Sequence, residues 1–340
     1  MRCTLAPKPD AGPPAQRKTP SSRCSKQQCA TASAKPLDKV WVFTTKNLCA
    51  QRLSVRKCLY MSQILQKMPP LGEARDRKML EEASSYVYRQ TPQGEVQAHL
   101  FWPTTTALSP RPAVVFFHGG LWDTPMHTQF VPHCLHFAGR GAVAVAAETR
   151  IFSKHATGPL EAIEDARELI RWLRQHAETF NLDPARISAG GAAGGAMLAL
   201  LTAMPKPKQM PPVDGIDCRP QALLLFSAIV NTTPKGQGAE RFPDVKTAIR
   251  CSPTSLIRAK LPPMMMFHGT ADRIAPVAEV RRLRSRLRWR RNVCELLEFE
   301  RAEHSFFNFN FNQLHFDLAL AAADAFLVKH GLLDPEAAEF

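Results

Sequence analysis

Four short segments of the chain carry residue types that can do chemistry. They are His118-Gly119-Gly120, the glycine-rich stretch Gly191–Gly195, Asp272 and His304. A histidine takes up a proton best when a carboxylate holds its ring in one tautomer. Glycines let the backbone bend sharply, and their N–H groups can bind an anion. These groups together are suited to proton transfer and to stabilising a developing negative charge.

The elements around these segments alternate between strands and helices. Short apolar runs are typical of strands buried on both faces of a sheet, and longer runs with a buried stripe are typical of helices. The strand candidates are Ala113–Phe117, Ala142–Ala147, Arg186–Ala189, Ala222–Val230, Met264–Phe267 and Cys294–Phe299. The helix candidates are Leu160–Phe180, Ala196–Met204, Pro276–Trp289 and Leu314–Lys329. This alternation predicts an α/β fold with a mostly parallel sheet covered by helices on both faces.

The four chemically suggestive segments all follow strand candidates. In open α/β sheets, ligands bind where the strands run out into loops at their carboxyl ends. We therefore expect these segments to lie at that edge of the sheet.

Five motifs occur along the chain in an order that is characteristic of a known family. They are FFHGG at 116–120, DPARI at 183–187, the glycine-rich turn at 191–195, HGTAD at 268–272 and AEHSFFN at 302–308. With these motifs the chain resembles the α/β-hydrolase fold. Within that fold it is similar to the esterase/lipase group with an HGG oxyanion motif, close to hormone-sensitive-lipase-like and bacterial acetyl- or feruloyl-esterase-like proteins. The resemblance covers roughly residues 85–333.

The resemblance implies a site for a small ester or acyl substrate. In this fold the nucleophile, the acid and the base follow one another along the chain. That order implies Asp272 as the acid and His304 as the base. The backbone N–H groups implied to form the oxyanion hole are those of Gly119, Gly120 and Gly194, and the first two follow the motif residue His118. No metal and no organic cofactor are implied.

The residue at the nucleophile position is an alanine. The family pattern is G-x-S-x-G, and counting from Arg186 without gaps puts Ala193 at the position of the serine. A shift by one residue gives Ala192, and the nearest serine, Ser188, is expected inside the strand before the turn. Loss of the nucleophile costs a serine hydrolase about six orders of magnitude in kcat.

Three functional interpretations of this substitution stay open. The first is a carboxylic-ester hydrolase of the esterase/lipase family with little or no covalent catalysis, because the elbow residue is Ala193. The second is a non-catalytic ligand-binding pseudo-hydrolase, and the third is non-covalent general-base chemistry by His304. A natural alanine and an engineered serine-to-alanine change are both compatible with the sequence.

Other motifs favour simpler interpretations. The glycines at 190–195 lack the spacing of a dinucleotide-binding or phosphate-binding loop. His268 is expected to be a packed structural histidine. Seven arginines between Arg281 and Arg291 suggest an anionic partner, but Val280, Leu283 and Leu287 form a helical stripe that puts the arginines on a solvated face. We therefore expect no nucleic-acid partner.

Charge is concentrated at the N-terminus of this 340-residue chain. Residues 1–60 contain twelve Lys or Arg but only Asp10 and Asp38, within a formal net charge of +14. This composition predicts a disordered extension. The alternatives are a transit peptide and a tether to nucleic acid or to an acidic surface, and the disordered tail is also compatible with a mis-called start and Met61 as the true one. Nine cysteines are an odd number, and no disulfide framework is indicated.

The expected organisation has four parts. Residues 1–60 form the basic disordered extension, residues 61–84 a cap helix or linker, residues 85–333 the α/β-hydrolase domain and residues 334–340 a tail. No apolar run reaches the ~18 residues of a membrane span. We expect a cytoplasmic protein, and the composition leaves its oligomeric state open.

Overall fold

The nine strands in the described residues form one sheet. The computed structural model of the chain describes residues 41–43, 73–104 and 109–335. The strands are β1 (Trp41–Phe43), β2 (Ser84–Thr91), β3 (Gly94–Phe101), β4 (Arg111–Phe117), β5 (Val143–Ala147), β6 (Leu182–Ala192), β7 (Ala222–Phe226), β8 (Met264–Gly269) and β9 (Cys294–Phe299). Their spatial order is β1-β9-β8-β7-β6-β4-β5-β3-β2. Only β3 runs antiparallel to its neighbours, β2 and β5, which confirms the predicted mostly parallel sheet.

Helices cover both faces of this sheet. They are α1 (Glu73–Leu80), α2 (Val131–Gly139), α3 (Phe152–His155), α4 (Pro159–Gln175), α5 (Ala193–Ala203), α6 (Val245–Cys251), α7 (Val277–Trp289) and α8 (Gln313–Lys329). One apolar cluster contains the buried faces of α4, α5 and α7, and a second contains those of α2 and α8. The side chains of β4 alternate between the two clusters, as the pleat of a strand requires. No helix in the described residues is long and apolar enough to cross a membrane.

Several strand boundaries differ from those predicted, and the end of β7 and the start of β6 differ most. β7 ends at Phe226 and not at Val230, because Ser227 adopts a left-handed φ of 43° that turns the chain out of the sheet. β6 begins at Leu182, four residues before the predicted start, because its first residue already pairs with Arg111 of β4. α4 likewise ends at Gln175, and the chain continues in turns to Asn181.

The N-terminal segments also differ in part from their prediction. Trp41–Phe43, inside the predicted disordered extension, form β1 and pair in parallel with β9. This pairing covers what would otherwise be an open sheet edge with unpaired backbone groups. The rest of the extension, and residues 61–72, lie outside the described residues. Within the predicted cap or linker, α1 is fixed by Thr128, whose hydroxyl donates to Asp76 Oδ1 at 2.6 Å.

His133 of α2 is enclosed by aromatic rings. These belong to Phe116, Phe130, Phe226, Phe307 and Phe316. Neither ring nitrogen of His133 has a hydrogen-bond partner within the described part of the chain. Burial, with a smaller contribution from the nearby His136, lowers the pKa of His133 to about 3. The imidazole is therefore neutral in the folded protein at neutral pH.

We expect the change His133→Leu to make the protein less sensitive to acid. As the pH falls from about 6.5 towards 3, the unfolded chain takes up a proton on His133 that the folded protein does not, so stability present at neutral pH is lost in this window. Between about pH 6 and pH 4, the free energy of unfolding should fall by about 2 kcal/mol more for the unsubstituted chain than for the variant. Urea denaturation at several pH values measures this difference, and parallel pH curves for the two proteins would contradict it.

Candidate active site

The turn from β6 into α5 has the geometry of a nucleophile elbow. Ala193 has a φ of 47°, whereas Ala192 is still extended and belongs to β6. A left-handed conformation costs a residue with a Cβ atom roughly 1–2 kcal/mol. The structure thus places Ala193 at the strained position of the turn. Ser188 lies inside β6 with its side chain fully buried, well before the turn.

Glycines allow this turn to approach the end of β4. A Cβ atom on Gly195 would collide with the carbonyl oxygens of His118 and Phe117, and one on Gly194 would collide with the carbonyl oxygen of Gly120. These obstacles are backbone atoms, so no side-chain rotation can relieve them. The small residues of the elbow are therefore required by the packing of the two loops.

Asp272 and His304 meet at the carboxyl ends of β8 and β9. The two residues lie 2.8 Å apart, from Nδ1 of His304 to Oδ2 of Asp272. The other carboxylate oxygen of Asp272 accepts hydrogen bonds from the backbone N–H groups of Ile274 and Ala275, at 2.9 and 2.8 Å. The Asp272 carboxylate is fully buried, whereas 17% of the His304 side chain is exposed.

The protonation state of this pair follows from its contacts. Burial alone would raise the pKa of Asp272, but its contacts with His268, with His304 and with the N–H of Ala275 outweigh this effect and hold the pKa well below its usual range. An ionised carboxylate can only accept hydrogen bonds. Nδ1 of His304 therefore carries a proton, and Nε2 is left as a proton acceptor.

His268 is a second histidine beside the same carboxylate. Its Nε2 donates to the carbonyl oxygen of Ala275 at 2.6 Å and lies 3.3 Å from Oδ2 of Asp272. The ring is completely buried in β8, so it is closed to a ligand. This position agrees with the expected role of His268 as a packed histidine.

The elbow contacts the loop after β8, which carries Asp272 and Ala275. Ala193 lies in a small buried apolar cluster with Ile229 and Ala275, and Leu121 packs against it. The N–H of Ile229 also donates to the carbonyl oxygen of Ala193 at 3.2 Å. Ala275 links the elbow to the acid, because its side chain packs beside Ala193 and its N–H donates to Asp272. The structure therefore brings the elbow and the Asp272–His304 pair to the same edge of the sheet.

The predicted oxyanion donors are arranged differently from the sequence expectation. The N–H of Gly119 donates to Oε1 of Gln129 at 2.7 Å, and the N–H of Gly194 donates to the carbonyl oxygen of Gly120 at 3.1 Å. Gly120 has a φ of 91°, a conformation that L side chains rarely adopt. Among the three predicted donors, only the N–H of Gly120 has no acceptor in the described residues. Two of the three donors are thus already satisfied within the protein.

His118 supports this loop from inside the protein. Its Nδ1 lies 2.9 Å from the carbonyl oxygen of Gly119, to which it donates. Burial lowers the pKa of His118, although the hydrogen bond to Gly119 acts in the opposite direction. A neutral, buried imidazole at this position holds the shape of the loop.

Three further residues near the site were missed by the sequence analysis. The hydroxyl of Ser227 donates to the carbonyl oxygen of His304 at 2.7 Å and so fixes the histidine loop. Nε2 of Gln129 donates to Oδ1 of Asn308 at 3.2 Å, which links the loop after β4 to the loop after β9. The position of Ser227 directly after an apolar run was a usable signal, whereas no pattern in the sequence marks Gln129. No group of His, Cys, Asp or Glu within the described ranges is arranged to hold a metal ion.

The sheet is mostly parallel, and the elbow, Asp272 and His304 lie at the carboxyl ends of its strands. This arrangement defines an α/β hydrolase of the esterase class. The BD-FAE family model matches residues 99–287, which is more than half of the chain. The chain therefore belongs to the BD-FAE family. The matched region runs from β3 into α7, so it contains the elbow and Asp272 and ends before His304.

Two curated relatives come from Mycobacterium tuberculosis. The probable carboxylic ester hydrolase LipM is 27% identical over 195 residues, which cover 52% of this chain and 45% of LipM. The esterase LipI is 30% identical over 127 residues, which cover 36% of this chain and 38% of LipI. The chain thus matches less than half of the length of either relative.

Solved structures of one esterase match over a longer range. The propionate-bound thermophilic esterase Est2 from the Planctomycetes species Thermogutta terrifontis is 35% identical, with a TM-score of 0.70. The match covers 76% of this chain and 98% of Est2. The same esterase phosphonylated by sarin matches with a TM-score of 0.71 at 35% identity, over the same shares of the two chains. These matches agree with the esterase family and the α/β-hydrolase fold.

We expect Gly195→Ala to destabilise the protein much more than Gly139→Ala. Gly195 has backbone oxygens where the new Cβ would lie, whereas Gly139, at the exposed end of α2, has no heavy atom within 4 Å of that position. Forced overpacking costs typically 1–3 kcal/mol and occasionally more, whereas alanine in place of glycine in a helix is neutral or stabilising by up to about 1 kcal/mol. Urea denaturation of both variants measures the difference. Equal stabilities would show that the elbow does not require its close approach to β4.

Proposed function

We propose that this chain binds small carboxylic esters or their acyl products without hydrolysing them through a covalent intermediate. The observation that carries the proposal is the side chain at the elbow. Ala193 stands where a serine hydrolase has its nucleophile, and it offers neither a hydroxyl nor a thiol. The elbow and the Asp272–His304 pair lie at the same edge of the sheet, which supports a ligand site there.

The hydrogen bonds of the loop after β4 support low residual activity. In a serine hydrolase without its nucleophile, a rate of about 10³–10⁴ over water can remain from the oxyanion hole and from binding. Here the N–H groups of Gly119 and Gly194 donate to Gln129 and to the Gly120 carbonyl. A bound ester carbonyl would have to displace the Gly120 oxygen before it could accept from Gly194. The remaining stabilisation of an oxyanion should therefore be small.

The relatives support the ligand class. LipM and LipI are named as an ester hydrolase and an esterase, and Est2 has been solved with propionate and with butyrate. By analogy, we expect short carboxylates and their esters to be the ligands of this chain. The partly exposed side chain of His304 would give such a ligand a polar contact.

General-base catalysis by His304 is a second candidate function. It is favoured by the pairing of Nδ1 with an ionised Asp272, which leaves Nε2 free to take a proton from water. The His304 side chain is partly exposed, which supports access of water to this side chain. In this case water, and not the protein, would attack the ester.

We expect the unsubstituted chain to hydrolyse p-nitrophenyl butyrate at the background rate and Ala193→Ser to gain activity. The new hydroxyl would lie at the elbow, and His304 would accept its proton. Ala192→Ser is the matched control, because it adds the same hydroxyl one residue earlier, within β6, and should stay inactive. Spectrophotometric assays measure turnover, and mass spectrometry after treatment with an organophosphonate locates a reactive serine.

The other outcomes separate the candidates. If the unsubstituted chain is active and His304→Ala abolishes that activity, the result would favour general-base catalysis by His304. It would contradict the proposal that the chain binds esters without hydrolysing them. A lack of both turnover and labelling in Ala193→Ser would show that the Asp272–His304 pair does not serve the elbow. Calorimetry with butyrate tests binding separately, and no detectable binding at millimolar ligand would contradict the proposed binding role.

A further inference from the structure

A groove of about 630 Å³ lies between the segment that follows β7 and the stretch of α7 from Glu279 to Arg286. One wall contains Asn231, Thr233 and Lys235, and the other contains Arg282 and Arg286. Its volume is in the range of sites for small organic molecules. The groove contains neither the elbow nor the Asp272–His304 pair. Its lining includes some of the arginines of α7, for which the packing of the fold gives no role.

The groove lies at the same edge of the sheet as the candidate active site. Asn231 follows Ile229 by two residues, and Glu279 follows Ala275 by four, and both Ile229 and Ala275 pack beside Ala193. Nδ2 of Asn231 donates to Oε2 of Glu279 at 3.3 Å, which joins the two walls at this end. The basic residues lie further along α7.

The charges that line the groove are only partly balanced. Arg281 forms two hydrogen bonds with the buried carboxylate of Glu298, and Arg282 lies 2.8 Å from Glu279. Arg286 donates to the carbonyl oxygen of Thr254 at 3.0 Å. Neither Arg286 nor Lys235 has a carboxylate partner among the described residues. Two positive charges are therefore left uncompensated on opposite walls.

The buried stripe of α7 explains why Arg281, Arg282 and Arg286 are exposed. Val280, Leu283 and Leu287 are fully buried in the core, so these three arginines lie on the solvated side of the helix, as the sequence predicts. The structure adds that part of this side lines a groove. Arg290 and Arg291 lie beyond the groove, at the exposed end of the helix, where Arg290 stacks on Trp289 at 4.7 Å.

We propose that this groove binds the phosphate group of a small organic phosphate monoester. A phosphate monoester carries close to two negative charges at neutral pH, which matches the uncompensated charges of Arg286 and Lys235. The planar guanidinium suits two phosphate oxygens at once, and the ammonium of lysine acts as a mobile point charge. The remaining volume of the groove accommodates the organic part of the molecule. This inference does not depend on the proposed ester-binding role.

The shape of the groove favours a small ligand over a polyanion. Binding of nucleic acid draws on phosphate contacts repeated along the duplex, and its affinity falls steeply with salt for that reason. The groove offers two cations without a carboxylate partner, Arg286 and Lys235, which match one phosphate group and not a row of them. The end of the groove near the candidate active site carries the carboxylate of Glu279, which repels a further phosphate.

The test is calorimetry of the full-length chain with inorganic phosphate and with glycerol 3-phosphate at constant ionic strength. We expect both to bind, glycerol 3-phosphate more tightly, and Arg286→Gln and Lys235→Gln each to weaken binding by about tenfold or more. Arg291→Gln is the matched control, because it removes the same charge just after the end of α7, outside the groove, and it should change the affinity by less than about twofold. Lys235 is exposed, so we expect its replacement to leave the fold intact.

Three results would overturn the proposal. The first is a lack of phosphate binding at millimolar concentration. The second is an equal loss of affinity in Arg291→Gln and in the groove variants, which would indicate diffuse attraction by net charge. The third is binding of duplex DNA or of anionic vesicles that weakens equally in all three variants while the phosphates do not bind. None of these results bears on the activity of Ala193→Ser, so failure here is distinct from failure of the proposed function.

Discussion

The close approach of two backbone segments, the β6–α5 turn and the end of β4, is the constraint on which the rest of the site depends. At this close approach Ala193 adopts a strained, left-handed φ of 47°. In an active serine hydrolase, strain at this turn serves to expose the nucleophile. Here the strained residue is Ala193, which has neither a hydroxyl nor a thiol, and Gly194 and Gly195 beside it still lie against the carbonyl oxygens of Phe117, His118 and Gly120. The elbow is therefore a requirement of the fold as well as a device of catalysis.

The same reasoning applies to the Asp272–His304 pair. The Asp272 carboxylate is buried and receives hydrogen bonds from His304 and from the N–H groups of Ile274 and Ala275. Of these donors the N–H of Ala275 is buried, and leaving it without a partner would cost about 1–3 kcal/mol. The Asp272 carboxylate thus has a structural reason to be present whether or not the elbow carries a nucleophile. The presence of the Asp272–His304 pair is therefore weak support for catalytic turnover. The identity of the residue at position 193 is stronger evidence about turnover than the pair is.

Much of this arrangement could be predicted from the sequence, because it depends on local pattern and on the order of elements. Apolar runs located the strands, and their parallel order placed Asp272 and His304 at one edge. The orientation of the Gly120 peptide could not be predicted in this way, since an HGG motif is compatible with either direction of its carbonyl. The contact between Gln129 and Asn308 joins residues 179 positions apart, and only the folded chain brings them together. The early end of β7 follows from a single backbone angle at Ser227, a residue type that strands also tolerate.

The candidate site and the groove differ in the kind of negative charge that they can stabilise. An esterase needs neutral N–H donors aimed at an oxyanion that exists only briefly, and in this chain the donors of Gly119 and Gly194 already serve the protein. Arg286 and Lys235 carry permanent charges without a carboxylate partner in the described residues, and such groups suit a ligand that is itself permanently charged. The two features lie at the same edge of the sheet, because both α5 and α7 begin where parallel strands end. Under the two proposals, this edge holds an anionic molecule and does not convert it chemically.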